Sequence, residues 1–265
     1  MARISTSTRI KKDPSPACRA IGWRLGRRRM IRSHTPEPQF TLAGIAIFSA
    51  LPRNALEAVH RRCSWRRYEP GEPIVDYLDS SDDVFFVASG EASVTIYSVA
   101  GQVVSFRNLG AGEIFGEYAA IDGEPRSASV EARTSCLIAS MTAKEFRKLL
   151  ETEPAVAQAV LKGLVRNIRS LTKRVYEFST LAVNNRIQAE LLRLASLAPR
   201  EGKGARLHPA PTHAELASRV STHREAVTRE LNRLSRIGLI ERESGTLIVR
   251  DLDGLAAMLY EMTGE

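Results

Sequence analysis

No apolar run in these 265 residues approaches the roughly 18 that a helix needs to cross a bilayer. A membrane partner is therefore not expected, and a cytoplasmic address is. Cysteine is scarce. Cys18, Cys63 and Cys136 stand far apart and odd in number, which argues against a disulfide framework and fits a reducing compartment. Their spacing also suits no zinc or iron–sulfur site. Histidine is as thin: His60 is the only one between residues 35 and 207, leaving a haem sensor one candidate ligand there. The glycine-rich GAGEIFG lacks the Gly-Lys-Ser/Thr of a P-loop. No Ser/His/Asp or Cys/His set marks nucleophilic catalysis, and the chain is expected not to be an enzyme.

Positive charge is present but misplaced for a bulk argument. The net charge is +8, yet residues 1–29 alone hold nine Lys/Arg against one acid, and the remainder is neutral. Overall basicity thus carries no inference about nucleic acid. Residues 1–38 are rich in Arg, Ser and Pro without periodicity and read as a basic disordered tail. No apolar segment follows Arg27–Arg29, so they are not the start of a signal peptide. Met30 is an alternative start.

The most informative stretch is FGEYAAIDGEPRSASV, Phe115 to Val130. It places Gly116 and Glu117 nine residues ahead of Pro125-Arg126-Ser127, after an apolar, glycine-containing turn. That pattern suits a small ligand with a phosphate at one end and a ribose at the other. Arg126 offers a fork of donors to phosphate oxygens, and Ser127 adds a hydroxyl. Gly116 lets the backbone approach, and Glu117 accepts from a sugar hydroxyl. A surface turn with an incidental ion pair is the plain alternative. The segment closely resembles the phosphate-binding cassette of cyclic-nucleotide-binding domains. An arginine buried there without a counter-ion predicts a loosely organised cassette before ligand binds.

Around the cassette lie short alternating segments separated by glycine turns: Trp65–Tyr68, Gly71–Leu78, Val84–Val87, Gly90–Tyr97, Gly101–Leu109, Ser129–Ala132 and Ser135–Met141. Many short strands predict a β-barrel or roll. RYEPGEPI and VFFVASGEASV resemble the jelly roll of the same domains. A short helix is expected between Phe48 and Arg62, and Thr142 caps another through Leu150. From Pro154 to Phe178, Leu161, Leu164, Ile168, Leu171, Val175, Phe178 and Leu181 recur at spacings of 3, 4, 3, 4, 3 and 3. This seam fits a parallel homodimer, or packing against the chain's own barrel.

After a helix from Asn184 to Leu197 and a polar linker, PREGKGARLHPAP, the chain reads helix, turn, helix, hairpin. Thr212 with Glu215 and Thr222 with Glu225 form two capping-box patterns. A helix starting at Thr222 presents Arg224, Glu225, Thr228 and Arg229 opposite Val227, Leu231 and Leu234. In a major groove, arginine pairs with guanine O6/N7 and glutamate accepts from cytosine N4. A solvated face with a Glu–Arg pair is the alternative. THAELASRVSTHREAVTRELNRLSRIGLIERESGTLIV resembles the winged helix-turn-helix of Crp/Fnr regulators, and order and spacing match that family from about residue 42 to 253. Ser221 departs from a common turn glycine, which implies slight strain, and His223 from a common serine.

The resemblance implies an α+β chain: a β jelly roll over 39–150, a dimerisation helix and hinge over 151–182, and a winged helix-turn-helix over 183–265. It implies a homodimer that binds double-stranded DNA at a palindromic TGTGA-like site, meets RNA polymerase, and is gated by cyclic AMP or cyclic GMP, without a metal. The family's adenine-contacting pair falls on Leu171 and Thr172; Thr172 keeps one hydroxyl and Leu171 loses the other. A different effector or none, and a regulatory subunit of an enzyme, stay as alternatives. Target genes and the sign of regulation are not legible.

Overall fold

In the computed structural model, the described residues are 41–97 and 103–263. The basic tail and the predicted strand start at Gly101 lie outside them. The chain is α+β, with an antiparallel roll, a long helix and a small helical domain carrying its own sheet.

Helix α1 (Arg53–His60) precedes the roll. Its strands are β1 (Ser64–Tyr68), β2 (Pro73–Val75), β3 (Val84–Ser89), β4 (Ala92–Tyr97), β5 (Val103–Leu109), β6 (Ile114–Phe115), β7 (Ser129–Ala132) and β8 (Cys136–Met141). A short helix, α2 (Glu117–Asp122), is inserted between β6 and β7. Two four-stranded sheets face each other, ordered β1-β8-β3-β6 and β2-β7-β4-β5. Val84 to Val87 are buried without interruption because β3 is covered on both faces. Phe85 and Val87 point into the roll, while Phe86 points out to Phe48, with ring centroids 5.1 Å apart. Side-chain alternation on one strand thereby serves two cores.

The outer core is closed by α3 (Ala143–Thr152), whose N-cap Thr142 accepts from the Glu145 N–H. Helix α4 (Pro154–Thr180) follows, 27 residues and about 40 Å long. Proline at its first position costs nothing, since that N–H has no helical partner. Val156 and Val160 anchor its first turns in the outer core. Beyond them the seam emerges from the fold: Leu161, Ile168 and Val175 are 60%, 61% and 65% exposed, and Leu171 46%. These residues do not pack on the chain's own barrel.

Leu181 and Ala182 break the helix before α5 (Val183–Leu197). The supposed polar linker proves to be structured. β9 (Arg200–Glu201) and β10 (Gly204–Leu207) form a hairpin, and β10 pairs with the later β12 (Thr246–Val249). Ala205 and Leu207 point inward and Arg206 outward. Four residues of alternation within a run of Gly, Pro and charge are too few to read as a strand. Helices α6 (His213–Arg219) and α7 (Arg224–Arg236) and strand β11 (Ile240–Glu243) complete the domain, with α8 (Leu252–Thr263) behind. Leu191, Leu216, Val227, Leu234, Leu247 and Val249 share its core.

The exposed seam leads to the first prediction. Ile168→Glu with Val175→Glu should sediment as a monomer where the parent sediments as a dimer, with unchanged far-UV circular dichroism. A monomeric parent at high concentration would remove the seam as an interface.

Candidate ligand pocket and nucleic-acid interface

Gly116 ends β6 with φ 82° and ψ 0° and caps α2. The expected turn is thus a short helix, closed by Gly123 at φ 76°. A Cβ on Gly116 would lie 2.6 Å from Arg126 Nη1 and 2.7 Å from the Asp83 carbonyl oxygen, so only glycine fits.

Arg126 is 3% exposed. Its Nε donates to Ser81 Oγ at 3.1 Å, Nη1 to the Gly116 carbonyl at 3.1 Å and Nη2 to the Asp83 carbonyl at 2.8 Å. The guanidinium also lies over the Phe85 ring, 5.5 Å from its centroid. Burial lowers its pKa, against the opposing pull of Asp83, Asp79, Asp82 and Glu117. Neutral acceptors thus take the place of the missing counter-ion from which a loosely organised cassette was expected. Three neutral oxygens from two segments meet the donors, so no contacting carboxylate is required. The Asp-Ser-Ser-Asp-Asp run supplying two of them carried no signal beyond a polar loop.

Glu117 is 5% exposed, and burial raises its carboxyl pKa. Its own backbone N–H, Arg107 and then Arg126 act in the other direction. Ser127 is exposed in the bend after Arg126. Arg107, missed by sequence reasoning, donates from Nη1 to Asn167 Oδ1 on α4 at 3.0 Å. Asn167 donates from Nδ2 to the Tyr118 hydroxyl at 3.1 Å. Thr172 is exposed farther along α4, and its hydroxyl donates to the Ile168 carbonyl at 3.0 Å, leaving only its acceptor lone pairs for a ligand.

At the other end of the molecule, the Thr212–Glu215 capping box is present. The Thr222–Glu225 box is not: α7 begins at Arg224, its N-cap is His223, and no side chain caps it. The reason lies in the turn. Ser221 adopts φ 49°, and the Thr222 N–H donates to the Ala217 carbonyl at 3.0 Å. This is the six-to-one closure of α6, so Thr222 ends the first helix rather than starting the second.

Helix α7 buries Val227, Leu231 and Leu234 and exposes Arg224, Glu225 and Arg229. Thr228 is half-buried; its Oγ1 donates to the Arg224 carbonyl at 3.0 Å and lies 2.7 Å from His213 Nδ1. Ser244 (φ 27°) and Gly245 (φ 81°) make the predicted hairpin turn between β11 and β12. Between this wing and the helix pair lies a cleft of about 550 Å³, lined by His213, Arg224, Arg242 and Ser244 among others. Burial, then Arg242 and Arg224, depresses the His213 pKa. The cleft and α7 thus present cationic donors on one exposed side, suited to a polyanion.

The family model for the cyclic nucleotide-binding domain matches residues 65–153, and that for the Crp-like helix-turn-helix domain matches 185–258. The cyclic AMP receptor protein of Thermus thermophilus is 29% identical over 221 residues, 83% of this chain and 98% of that protein. A solved CRP/FNR-family transcriptional regulator from the same organism is 28% identical, with a TM-score of 0.59, covering 75% of this chain and 99% of that one. The structure of CLP from Xanthomonas campestris, described as a c-di-GMP responsive global regulator, shares the fold at 23% identity. Its TM-score is 0.66, with coverage of 75% and 99%.

The left-handed Ser221 yields the second prediction. A residue with a Cβ costs about 1 kcal/mol there, so Ser221→Gly should raise the unfolding free energy by about that amount. A higher urea midpoint at unchanged slope would support it, and a lower one would show that the serine hydroxyl stabilises the turn.

Proposed function

The chain belongs to the Crp/Fnr family of transcription regulators, and we propose that a cyclic nucleotide gates its binding to a palindromic DNA site. It is a DNA-binding regulator with a cyclic-nucleotide-binding domain. The finer reading assigns residues 1–38 to a basic tail, 39–150 to the ligand domain, 151–182 to the dimer helix and hinge, and 183–265 to the DNA-binding domain. A homodimer through the α4 seam acts in the cytoplasm, where the DNA is, and contacts RNA polymerase.

One observation carries the ligand reading: a nearly fully buried arginine beside a nearly fully buried glutamate, on a backbone cradle that only glycine can form. A phosphodiester would exchange the neutral oxygens on Arg126 for charged ones, with shorter and stronger hydrogen bonds. Gly116 and Ser127 would add donors, and Glu117 would accept from the ribose. The base would rest against α4 near Leu171 and Thr172. The name of the Thermus relative favours cyclic AMP. Cyclic GMP is the second reading, supported by Leu171, which removes a hydroxyl acceptor from the base end.

Arg126→Leu should fold and dimerise, yet lose nucleotide binding and nucleotide-stimulated DNA binding; near-parental affinity by calorimetry would overturn the cassette reading. Glu117→Gln should weaken binding less, since an amide oxygen still accepts from the ribose.

On the DNA side, two copies of α7 would read half-sites roughly one helical turn apart, about 34–36 Å, in a TGTGA-like inverted repeat. Arg229 and Glu225 would jointly read one G·C pair, with Arg224 and Thr228 beside them. Losing one bidentate contact costs about 1–3 kcal/mol of discrimination. Selection from random DNA should therefore show Arg229→Ala relaxed at a G·C position and Glu225→Ala relaxed for the cytosine. An unchanged motif in both would leave these residues as a solvated ion pair.

A further inference from the structure

We infer that Arg107 sets the base preference of the pocket, and that the pocket prefers a 6-oxopurine cyclic nucleotide, of the cyclic GMP class, over cyclic AMP. This rests on the cyclic-nucleotide reading of the cassette and deepens it.

Arg107 sits on β5 and reaches across to α4, where Nη1 meets Asn167 Oδ1 at 3.0 Å. Its other hydrogen bond among the described residues, from Nη2 to the Ile114 carbonyl, is long at 3.4 Å, and the Glu113 carboxylate is 3.8 Å away. A guanidinium has five N–H donors, and these two bonds are the side-chain hydrogen bonds that Arg107 makes among the described residues. Arg107 and Arg126 both act on the buried Glu117 carboxyl, and Arg107 also bonds the Ile114 carbonyl three residues before it.

Asn167 lies one helical turn before Leu171 on the same face of α4. The Arg107 fork therefore stands beside the surface where the base would rest. Around it, Leu171 is apolar and the Thr172 hydroxyl hydrogen is committed to Ile168.

The chemistry then discriminates. Guanine and hypoxanthine present two acceptors, O6 and N7, matched to an arginine fork. Adenine presents an N6 amino donor where O6 would be. Against a guanidinium that places donor on donor, and Leu171 removes one hydroxyl that would have accepted from the amino group. A lysine keeps the charge near Glu117 but lacks the planar fork, which separates base reading from a purely structural role.

The test is calorimetry of the full chain with cyclic AMP, cyclic GMP and cyclic IMP, on the parent, Arg107→Lys and Arg107→Ala, with Arg126→Leu as control. The parent should bind cyclic GMP and cyclic IMP at least roughly tenfold more tightly than cyclic AMP. Both Arg107 variants should lose most of that ratio through weaker cyclic GMP and cyclic IMP binding. A parent that prefers cyclic AMP, or a ratio untouched by Arg107→Lys, overturns the inference but leaves the cassette reading standing. A parent that binds none of the three, or Arg126→Leu binding all of them normally, overturns the cassette reading itself.

Discussion

A single carboxylate ties the modules together. Glu190, 1% exposed on α5, contacts Arg174 of α4, Arg193 of its own helix and Arg219 of α6. Glu177 on α4 takes a second bond from Arg193, at 2.8 Å. Burial, then repulsion from Arg193 and Arg219, brings the Arg174 pKa down to about 10. Arg186 stacks over Phe178 at 5.0 Å, with its Nε buried and unpartnered. Three guanidiniums thus share two carboxylates, and losing one carboxylate would strand buried charge at a cost of several kcal/mol.

This arrangement spans the break at Leu181–Ala182. Arg219 also donates to Asn108 on β5 at 2.7 Å, and Arg133 of the roll reaches Glu215 of α6 at 2.5 Å. Displacing α4 at Arg174 while Arg219 stays in place would pull apart the charges on Glu190. Neighbouring β5 residues therefore face different ways: Arg107 reaches Asn167 on α4, and Asn108 accepts from Arg219 on α6. In our reading, a ligand drawing on the Arg107 fork would act on the strand that holds α6.

Much of this was legible beforehand. The cassette residues, the seam, the first capping box and the Ser-Gly wing each depend on spacings of a few residues, which sequence preserves. Where the reading failed, the cause was competition between neighbours. Thr222 has the composition of an N-cap, but its N–H is drawn to Ala217 by the closure of the preceding helix. PREGKGARLHPAP has the composition of a linker, but β12 offers its edge, and the Gly204 backbone passes too close to the Val249 carbonyl for any side chain.

By itself, the sequence determined which chemistries are available: an arginine fork and a glutamate nine residues apart, an apolar helical stripe and a cationic second helix. These follow from residue type and local period. Tertiary structure alone decided which partners those groups meet. Arg126 is satisfied by the Ser81 hydroxyl and the carbonyls of Asp83 and Gly116, Arg107 is aimed at Asn167 some 60 residues away, and Glu190 is shared by three arginines from three helices. Chain closure over such separations depends on the packing of both cores, and no local pattern encodes it.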